Sequence, residues 1–381
     1  MFDVIIIGAG FAGAVMAERL ATQKNKSVLV IEQRRHIGGN CFDEKNDCGI
    51  LIHKYGPHLF HTDNAEVWNY ISQFTDWTIY NHKVLAMVDG QFVPLPFNLN
   101  TLQKLFPPLL AEKFEKTLLN HYNYNEKIPI SEIIKTDDAD LKFLAKYINE
   151  KIFLHYTEKQ WGQSAENIGS EVTARVPIFV GRDDRYFTDR FQAVPKNGYT
   201  EIFRKMLNHK NIKLLLNTNF KEVMELKCGK FYFLNQPFDG KIIYTGQIDE
   251  LFENKFGELN YRSVDMKFET LNQESFQPAA TVNYPNNYNF TRITEFKKIH
   301  PVESKSTTIL REYPQNYIRG KNVPYYPIFN EENKMRHEKY FAEALQVKNL
   351  ILLGRLAEYK YYDMDDVIER ALKVFHKEFD S

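Results

Sequence analysis

Cysteine is scarce in this 381-residue chain: Cys41, Cys48 and Cys228 make up the whole set. An odd, sparse set excludes a disulfide framework as the basis of the fold and fits a reducing compartment. Cys41 and Cys48 also lack partners at metal-ligand spacing. Net charge is missing too. The 49 Lys and Arg balance the 49 Asp and Glu, so no bulk field draws nucleic acid or a membrane surface, and any anion must be held by local arginines. No apolar run reaches the ~18 residues a bilayer-spanning helix needs. The N-terminus enters a strand at once, with no basic region and no cleavage site. Repeats and low-complexity tracts are absent. These gaps predict a soluble cytoplasmic protein with no nucleic-acid or membrane partner. Its length suits two or three domains.

What is abundant is aromatic: 22 Tyr and 29 Phe, enough to supply stacking surfaces beyond a core, although a lineage preference for Phe over Leu explains the count equally well. What is specific stands at the front. "DVIIIGAGFAGAVMAERLA" opens with a buried parallel strand, Val4 to Ile7, and continues into Gly8-Ala9-Gly10-Phe11-Ala12-Gly13. This is G-x-G-x-x-G followed by helical spacing. "SVLVIE" supplies a second buried strand and ends at Glu32, an acid placed to accept from adenosine ribose hydroxyls. The glycines let the backbone approach a pyrophosphate, and the helix N-terminus stabilises its charge. Beyond Glu32, the stretch "QRRHIGGNCFDE" extends the site through Gln33, Arg34, Gly38, Gly39 and Asn40. A simple NAD site has no need of that second glycine loop; FAD, being longer, does.

The expected fold class is α/β (α+β overall). A discontinuous Rossmann-like FAD-binding domain of the glutathione-reductase type comprises 1–80, 198–258 and 333–381. A helical insert covers 99–166, in which Pro107-Pro108 separates two helices. An antiparallel β-sheet domain comprises 81–98, 172–197 and 259–332, with a mobile lid loop near 172–186. Asp89-Gly90 marks a hairpin, which Pro94 and Pro96 are expected to end. Near the C-terminus "NLILLGRLAEYKYYDMDDVIERAL" places a short strand, Gly354, Arg355 and a tyrosine cluster before a helix capped by Asp363. That helix has a buried stripe of Val367, Ile368, Ala371, Leu372 and Phe375. Its N-terminus favours negative charge on a flavin pyrimidine.

Taken together, "GAGFAGAVMAERL", "IGGNCFDE", "YGPHLFHTDN", "YTEKQWG", "VTARVPIF", "DDRYF", "FTRITEFKK", "PYYPI" and "GRLAEYKYYDMDDVI" make the chain resemble bacterial UDP-galactopyranose mutase along nearly its whole length. The resemblance implies reversible conversion of UDP-galactopyranose to UDP-galactofuranose without net redox change. The nucleophile on the anomeric carbon would be N5 of reduced FAD. It also implies roles for particular residues. Arg175 and Arg292 would bind the diphosphate and steady the leaving nucleotide; Tyr186, Tyr326 and Tyr361 would donate hydroxyls to it. Phe153, Tyr156, Thr157 and Trp161 would form the base-binding face, and Arg262 and Asn283 would join the substrate site. His61 would lie beside the flavin ring. His58, Leu59, Thr218, Phe220, Gly354, Arg355, Tyr362, Asp363 and Met364 would complete the cofactor site. On residue type alone, the arginines could be surface ion pairs, Phe153 and Tyr156 core packing, and the histidines structural. Among His53, His58 and His61, the H-x-x-H pair His58 and His61 invites a zinc reading, but no third ligand sits at suitable spacing, so no metal is expected. UDP-galactose is the expected substrate, NAD(P)H or another reductant the agent that primes the flavin, and a homodimer the expected assembly.

Two rivals share the N-terminal fingerprint. One is a flavin oxidase or desaturase of the amine-oxidase type. The other is a non-catalytic flavin- or nucleotide-binding protein.

Overall fold

The computed structural model describes residues 2–162 and 177–380. Its organising element is a five-stranded sheet whose strands come from three distant parts of the chain. In spatial order they are Ile212–Leu215, Val28–Ile31, Val4–Ile7, Lys241–Tyr244 and Leu350–Leu352, and all neighbours run parallel. Successive side chains of a strand point to opposite faces. Val4, Ile6, Val28, Val30 and Ile243 therefore pack with the helices Phe11–Gln23, Tyr199–Leu207 and Met364–Phe379. Ile5, Ile7, Leu29, Ile31 and Ile242 pack on the other side with Tyr340 and Ala344 of the helix Glu331–Ala344. Both faces are covered, which is why these strands read as unbroken apolar runs. In the last helix, Ile368, Ala371, Leu372 and Phe375 are buried as expected. Val374 joins them, and Val367 is partly exposed.

The second large sheet has seven strands, in the order Tyr326–Pro327, Tyr261–Leu271, Thr307–Asn316, Arg292–Glu295, Thr281–Asn283, Val84–Val88 and Gln91–Leu95. It is antiparallel apart from one join: Thr281–Asn283 runs parallel to Val84–Val88. The chain visits this sheet twice, at 84–95 and again at 261–327, so that join is not a hairpin and its direction is not fixed by a turn. Asp89 and Gly90, both at positive φ (47° and 82°), form the tight turn between the last two strands. Pro94 does not end the hairpin; it lies inside the edge strand, where no partner awaits its missing N–H.

Helices Leu99–Leu105 and Pro108–His121 flank Pro107, as the paired prolines predict. With Ala139–Ile148 they bury Leu102, Phe114, Leu118, Leu141, Leu144 and Ile148 against Val84, Ala86 and Val93 of the hairpin. A π-helical turn, Asn149–Leu154, joins Ala139–Ile148 to His155–Trp161.

Two elements differ from expectation. Phe191–Pro195, grouped by sequence with the antiparallel domain, is a strand that pairs instead with Phe60–Thr62 and Trp77–Ile79. Its polar neighbours, including Arg190 and Gln192, hide its alternation. Lys230–Phe233, within the stretch 198–258 assigned by sequence to the FAD-binding domain, belongs to a separate three-stranded meander and not to the parallel sheet.

Candidate active site

A cavity of about 900 Å³ opens at the C-terminal ends of the parallel strands and extends to the seven-stranded sheet, where an open α/β sheet binds its ligands. One end is mostly backbone. Gly8 has φ of +107°, and the following helix begins at Phe11 with its N-terminal amides toward the cavity. A Cβ on Gly10 would meet no protein atom nearer than Gly39 Cα at 3.8 Å, so the space above it is open to a ligand. Gly13 does a different job: a Cβ there would lie 2.0 Å from the Gly8 carbonyl oxygen, and Gly13 does not line the cavity. Glu32 accepts from the amides of Ala9 and Arg34, both at 2.9 Å. Its carboxylate keeps lone pairs for a ribose. Arg34 lies over the Tyr55 ring at 4.2 Å and donates to the Asn40 side-chain oxygen at 3.0 Å. Its Nη1 is buried and has no hydrogen-bond partner among the described residues. A glycine turn open to a ligand, an acid at the strand end and an orphaned guanidinium nitrogen fit an adenine dinucleotide, and Gly39 and Asn40 continue the lining past the pyrophosphate position. Gln33, Phe11, Ala12, His58, Leu59, Thr218, Phe220, Gly354, Arg355, Tyr362, Asp363 and Met364 also line the cavity.

The other end is made of side chains. Arg292, from the strand Arg292–Glu295, forms a two-pronged ion pair with Glu312 directly across the sheet, 2.8 Å at both Nε and Nη2. Burial works against the arginine's charge, but the Glu312 carboxylate outweighs it and the guanidinium pKa is raised. Nη1 makes no hydrogen bond among the described residues, and the Glu312 carboxylate opposes the cation's field. Tyr156, Tyr186 and Tyr326 surround this pair; burial pushes each phenol pKa up, so all three remain O–H donors. Tyr361 stacks on Tyr326 with centroids 6.2 Å apart, and the Arg355 guanidinium lies 5.0 Å over the Tyr361 ring. Arg355 is itself tied to the carbonyls of Tyr362 at 3.0 Å and Tyr325 at 3.3 Å. Asn283 lines the same region.

Several expected residues lie elsewhere. Arg262 does not line the cavity; it donates to the carbonyls of Gln160 (3.0 Å) and Lys159 (3.3 Å) and to the Asn316 side chain. It thus closes the C-terminal end of the helix His155–Trp161, where a cation is favoured. Phe153 and Tyr156 do not share a wall. The π-helical turn ends between them, Phe153 packs on the insert's core, and Tyr156 reaches the cavity. Thr157 does not line it, and Trp161 stands behind Tyr326 at 6.3 Å between centroids. Arg175, with the part of the expected lid at 172–176, lies outside the described residues.

The histidines divide. His53 is a structural residue: its Nδ1 accepts from the His58 amide at 2.9 Å, and its Nε2 lies 3.1 Å from His300 Nε2. Burial depresses all three, His58 and His300 to about 4. His61 lines the cavity and contacts Asp189. At the C-terminal helix, Asp366 accepts from the Asp363 amide at 2.9 Å. Asp363, Asp365 and Asp366 all line the cavity, so their charges offset the positive field the helix N-terminus was expected to supply. Sequence reasoning missed Glu312, Tyr55, His82, Phe187 and Asp189. For Glu312 the signal is cross-strand register, which a single sequence does not display.

Comparison with known proteins decides the family. A family model described as UDP-galactopyranose mutase matches residues 151–361, and one described as an NAD(P)-binding Rossmann-like domain matches residues 6–74. The UDP-galactopyranose mutase of Mycoplasma genitalium is 36% identical, covering 98% of this chain and 93% of that protein. The dTDP-fucopyranose mutase of Escherichia coli is 33% identical, covering 98% and 97%. The chain belongs to the UDP-galactopyranose mutase family.

A crystal structure of reduced UDP-galactopyranose mutase superposes with a TM-score of 0.74 over 99% of this chain and 94% of that one, at 15% identity. The shared fold thus extends over nearly the whole chain. The segment matched by the mutase family model begins in the π-helical turn and ends at Tyr361. It therefore takes in nearly all of the arginine–tyrosine wall, while the Rossmann-like match takes in the glycine turn and Glu32.

Proposed function

We propose that this mutase-family protein catalyses the reversible ring contraction of UDP-galactopyranose to UDP-galactofuranose with FAD and no net redox change. The observation that carries the reading is one continuous cavity that joins a dinucleotide cradle to a wall of phosphate-type donors, Arg292 Nη1 and the hydroxyls of Tyr156, Tyr186 and Tyr326. When bound in reduced form, FAD supplies a nucleophilic nitrogen for the anomeric carbon of the sugar. The cradle around Gly8, Gly10, Glu32 and Arg34 would hold its adenosine and pyrophosphate; Gly354, Arg355, Tyr362 and Met364 would hold the rest.

The chain's own residues bind, orient and neutralise. Neutral phenols donate to diphosphate oxygens without adding charge, and Arg292 contributes its remaining edge. Because Glu312 screens Arg292, the wall meets the diphosphate with less than a full positive charge. The family resemblance assigns Arg175 to the diphosphate together with Arg292, as a second charged donor to the departing group. The phenol of Tyr156 lies within the electrostatic reach of Arg292, Tyr186 and Tyr326, so we place it with the diphosphate and not with the base.

The test is to reduce the purified protein with dithionite, supply UDP-galactofuranose, and follow UDP-galactopyranose by chromatography, with dTDP-fucofuranose in a parallel arm. Conversion of the UDP sugar confined to the reduced protein supports the reading. Faster conversion of the dTDP sugar reassigns the substrate within the family. Oxygen consumption without prior reduction indicates an oxidase.

A further inference from the structure

The turn at residues 187–190 takes no part in the reading above, yet it is anchored from several sides and pressed onto His61. Gln192 sits opposite His61 in the register of the small sheet. Its Nε2 donates to the carbonyls of Phe187 at 3.2 Å and Asp189 at 2.9 Å. The Arg190 amide donates to Asp63 at 2.7 Å. So fixed, the turn lays the Phe187 ring flat on the His61 imidazole, with centroids 3.7 Å apart and planes 19° apart. It also sets Asp189 Oδ2 3.4 Å from His61 Nδ1. Nδ1 is buried and has no closer partner; the ring lines the cavity, and Nε2 bonds to no protein atom among the described residues.

We propose that Asp189 is a positioning residue, which holds His61 through Nδ1 as an imidazolium whose Nε2–H is presented to the reacting part of the cofactor. The inference rests on the mutase reading for the identity of that cofactor, and on the Asp189 contact at a buried Nδ1 for the state of the histidine. Every charged or titratable neighbour bears on it. Asp189 approaches from the turn, Asp363 and Asp365 from the start of the C-terminal helix, and His82 from the loop before Val84–Val88. Burial pulls the His61 pKa down, but Asp189, helped by Asp363 and Asp365, outweighs it, and the net shift is upward. His82 is held neutral by burial, its pKa lowered to about 3, and does not compete. The upward shift favours the imidazolium, the form that the Asp189 contact at Nδ1 would hold. The charge lies beside three aspartates that would otherwise repel an electron-rich reduced cofactor, so it permits that form to persist at this end of the cavity.

The test compares the wild type with Asp189→Asn and Asp189→Glu. In ¹⁵N-histidine NMR titrations of the FAD-free and FAD-loaded protein, Asp189→Asn should lower the His61 midpoint by about one pH unit or more, and Asp189→Glu should restore part of it. Spectroelectrochemistry should show bound FAD of Asp189→Asn harder to reduce, with kcat lowered and KM for the nucleotide sugar held. A structural role alone would lower thermal stability and leave the His61 midpoint in place. An unchanged midpoint and an unchanged potential overturn the proposal. So does a wild-type His61 that titrates below an exposed histidine, a measurement needing no variant. Absence of mutase turnover beside an intact His61 shift would sink the functional reading and leave the positioning role standing.

Discussion

The glycine turn at residues 8–13 and the wall around Arg292 face one cavity but are made in different ways. The turn is contiguous backbone; its ligand contacts come from amides that the Rossmann strand and helix place automatically. The wall gathers Tyr156, Tyr186, Arg292, Glu312 and Tyr326 from five separate segments, and each depends on a tertiary neighbour: Arg292 on Glu312, Tyr361 on Arg355. A backbone site is robust to side-chain change and sensitive to any Cβ that intrudes. A side-chain site is the reverse, because removing one partner strands another in a buried setting.

The largest effect should separate two glycines in the same turn. Gly13→Val drives a Cβ into the Gly8 carbonyl at 2.0 Å, where backbone must move, and is expected to abolish soluble folded protein. A Cβ at Gly10 meets no protein atom nearer than Gly39 Cα at 3.8 Å; Gly10→Val should fold, with an unchanged circular dichroism spectrum, and purify colourless because the side chain fills the pyrophosphate position. A yellow Gly10→Val protein would contradict the cradle. At the other end, Arg292→Lys keeps a charge for Glu312 but loses the two-pronged geometry and the outward Nη1. Turnover should fall on the order of 10²–10³-fold with flavin content retained. Arg292→Ala should be as inactive and also unstable, by roughly 3–5 kcal/mol in denaturant titration, because Glu312 is then buried alone. Full activity in Arg292→Lys would show that charge and not shape serves the wall.

The same contrast explains what the sequence disclosed. The strand, G-x-G-x-x-G and Glu32 were legible because thirty consecutive residues carry the whole device, and Gly10 and Gly13 differ only in which neighbour they face. The C-terminal turn was legible for a similar reason: Gly354, Arg355 and Asp363 lie within ten residues of each other. Arg262 was misplaced because an arginine near aromatic residues looks the same whether it meets a ligand or the end of a helix. Phe153 and Tyr156 were put on one face because an α-helical period was assumed across a π turn. Glu312 and Asp189 were missed since each gains its meaning from a partner, Arg292 or His61, that only the folded register supplies.

Acid should weaken the region between the two ends. His53 is buried and His58 and His300 are half-buried; desolvation lowers all three, His58 and His300 to about 4. For a histidine depressed on folding, the unfolded chain binds the proton first. Stability is then complete above the unfolded pKa of about 6.5 and is lost as pH falls toward 4. Over that window His58 alone withdraws roughly 3 kcal/mol. Denaturation of the FAD-free protein at pH 7 and pH 4.5 measures this, and His58→Gln should flatten the slope; a profile already flat in the wild type would mean these rings are solvated.

The smallest effect tests whether the wall depends on a scaffold of its own. Lys159, in the helix that carries Tyr156, donates its ammonium to the carbonyls of Tyr284 (2.6 Å), Tyr288 (3.0 Å) and Phe290 (3.1 Å). That loop leads directly into the strand bearing Arg292, so one ammonium ties the two segments that bring Tyr156 and Arg292 together. Lys159→Met keeps the stem and removes the charge. Part of the loop is exposed and water can replace the ammonium there, so the stability loss should be no more than about 1–2 kcal/mol. The informative quantity is KM. If the tie aligns the wall, KM for the nucleotide sugar should rise several-fold while FAD affinity stays at the wild-type value, because the tie joins the Tyr156 helix to the 284–290 loop and not to the glycine cradle. Equal losses in FAD and sugar binding would mean that the two ends are mechanically one unit, and the distinction drawn between them would fail.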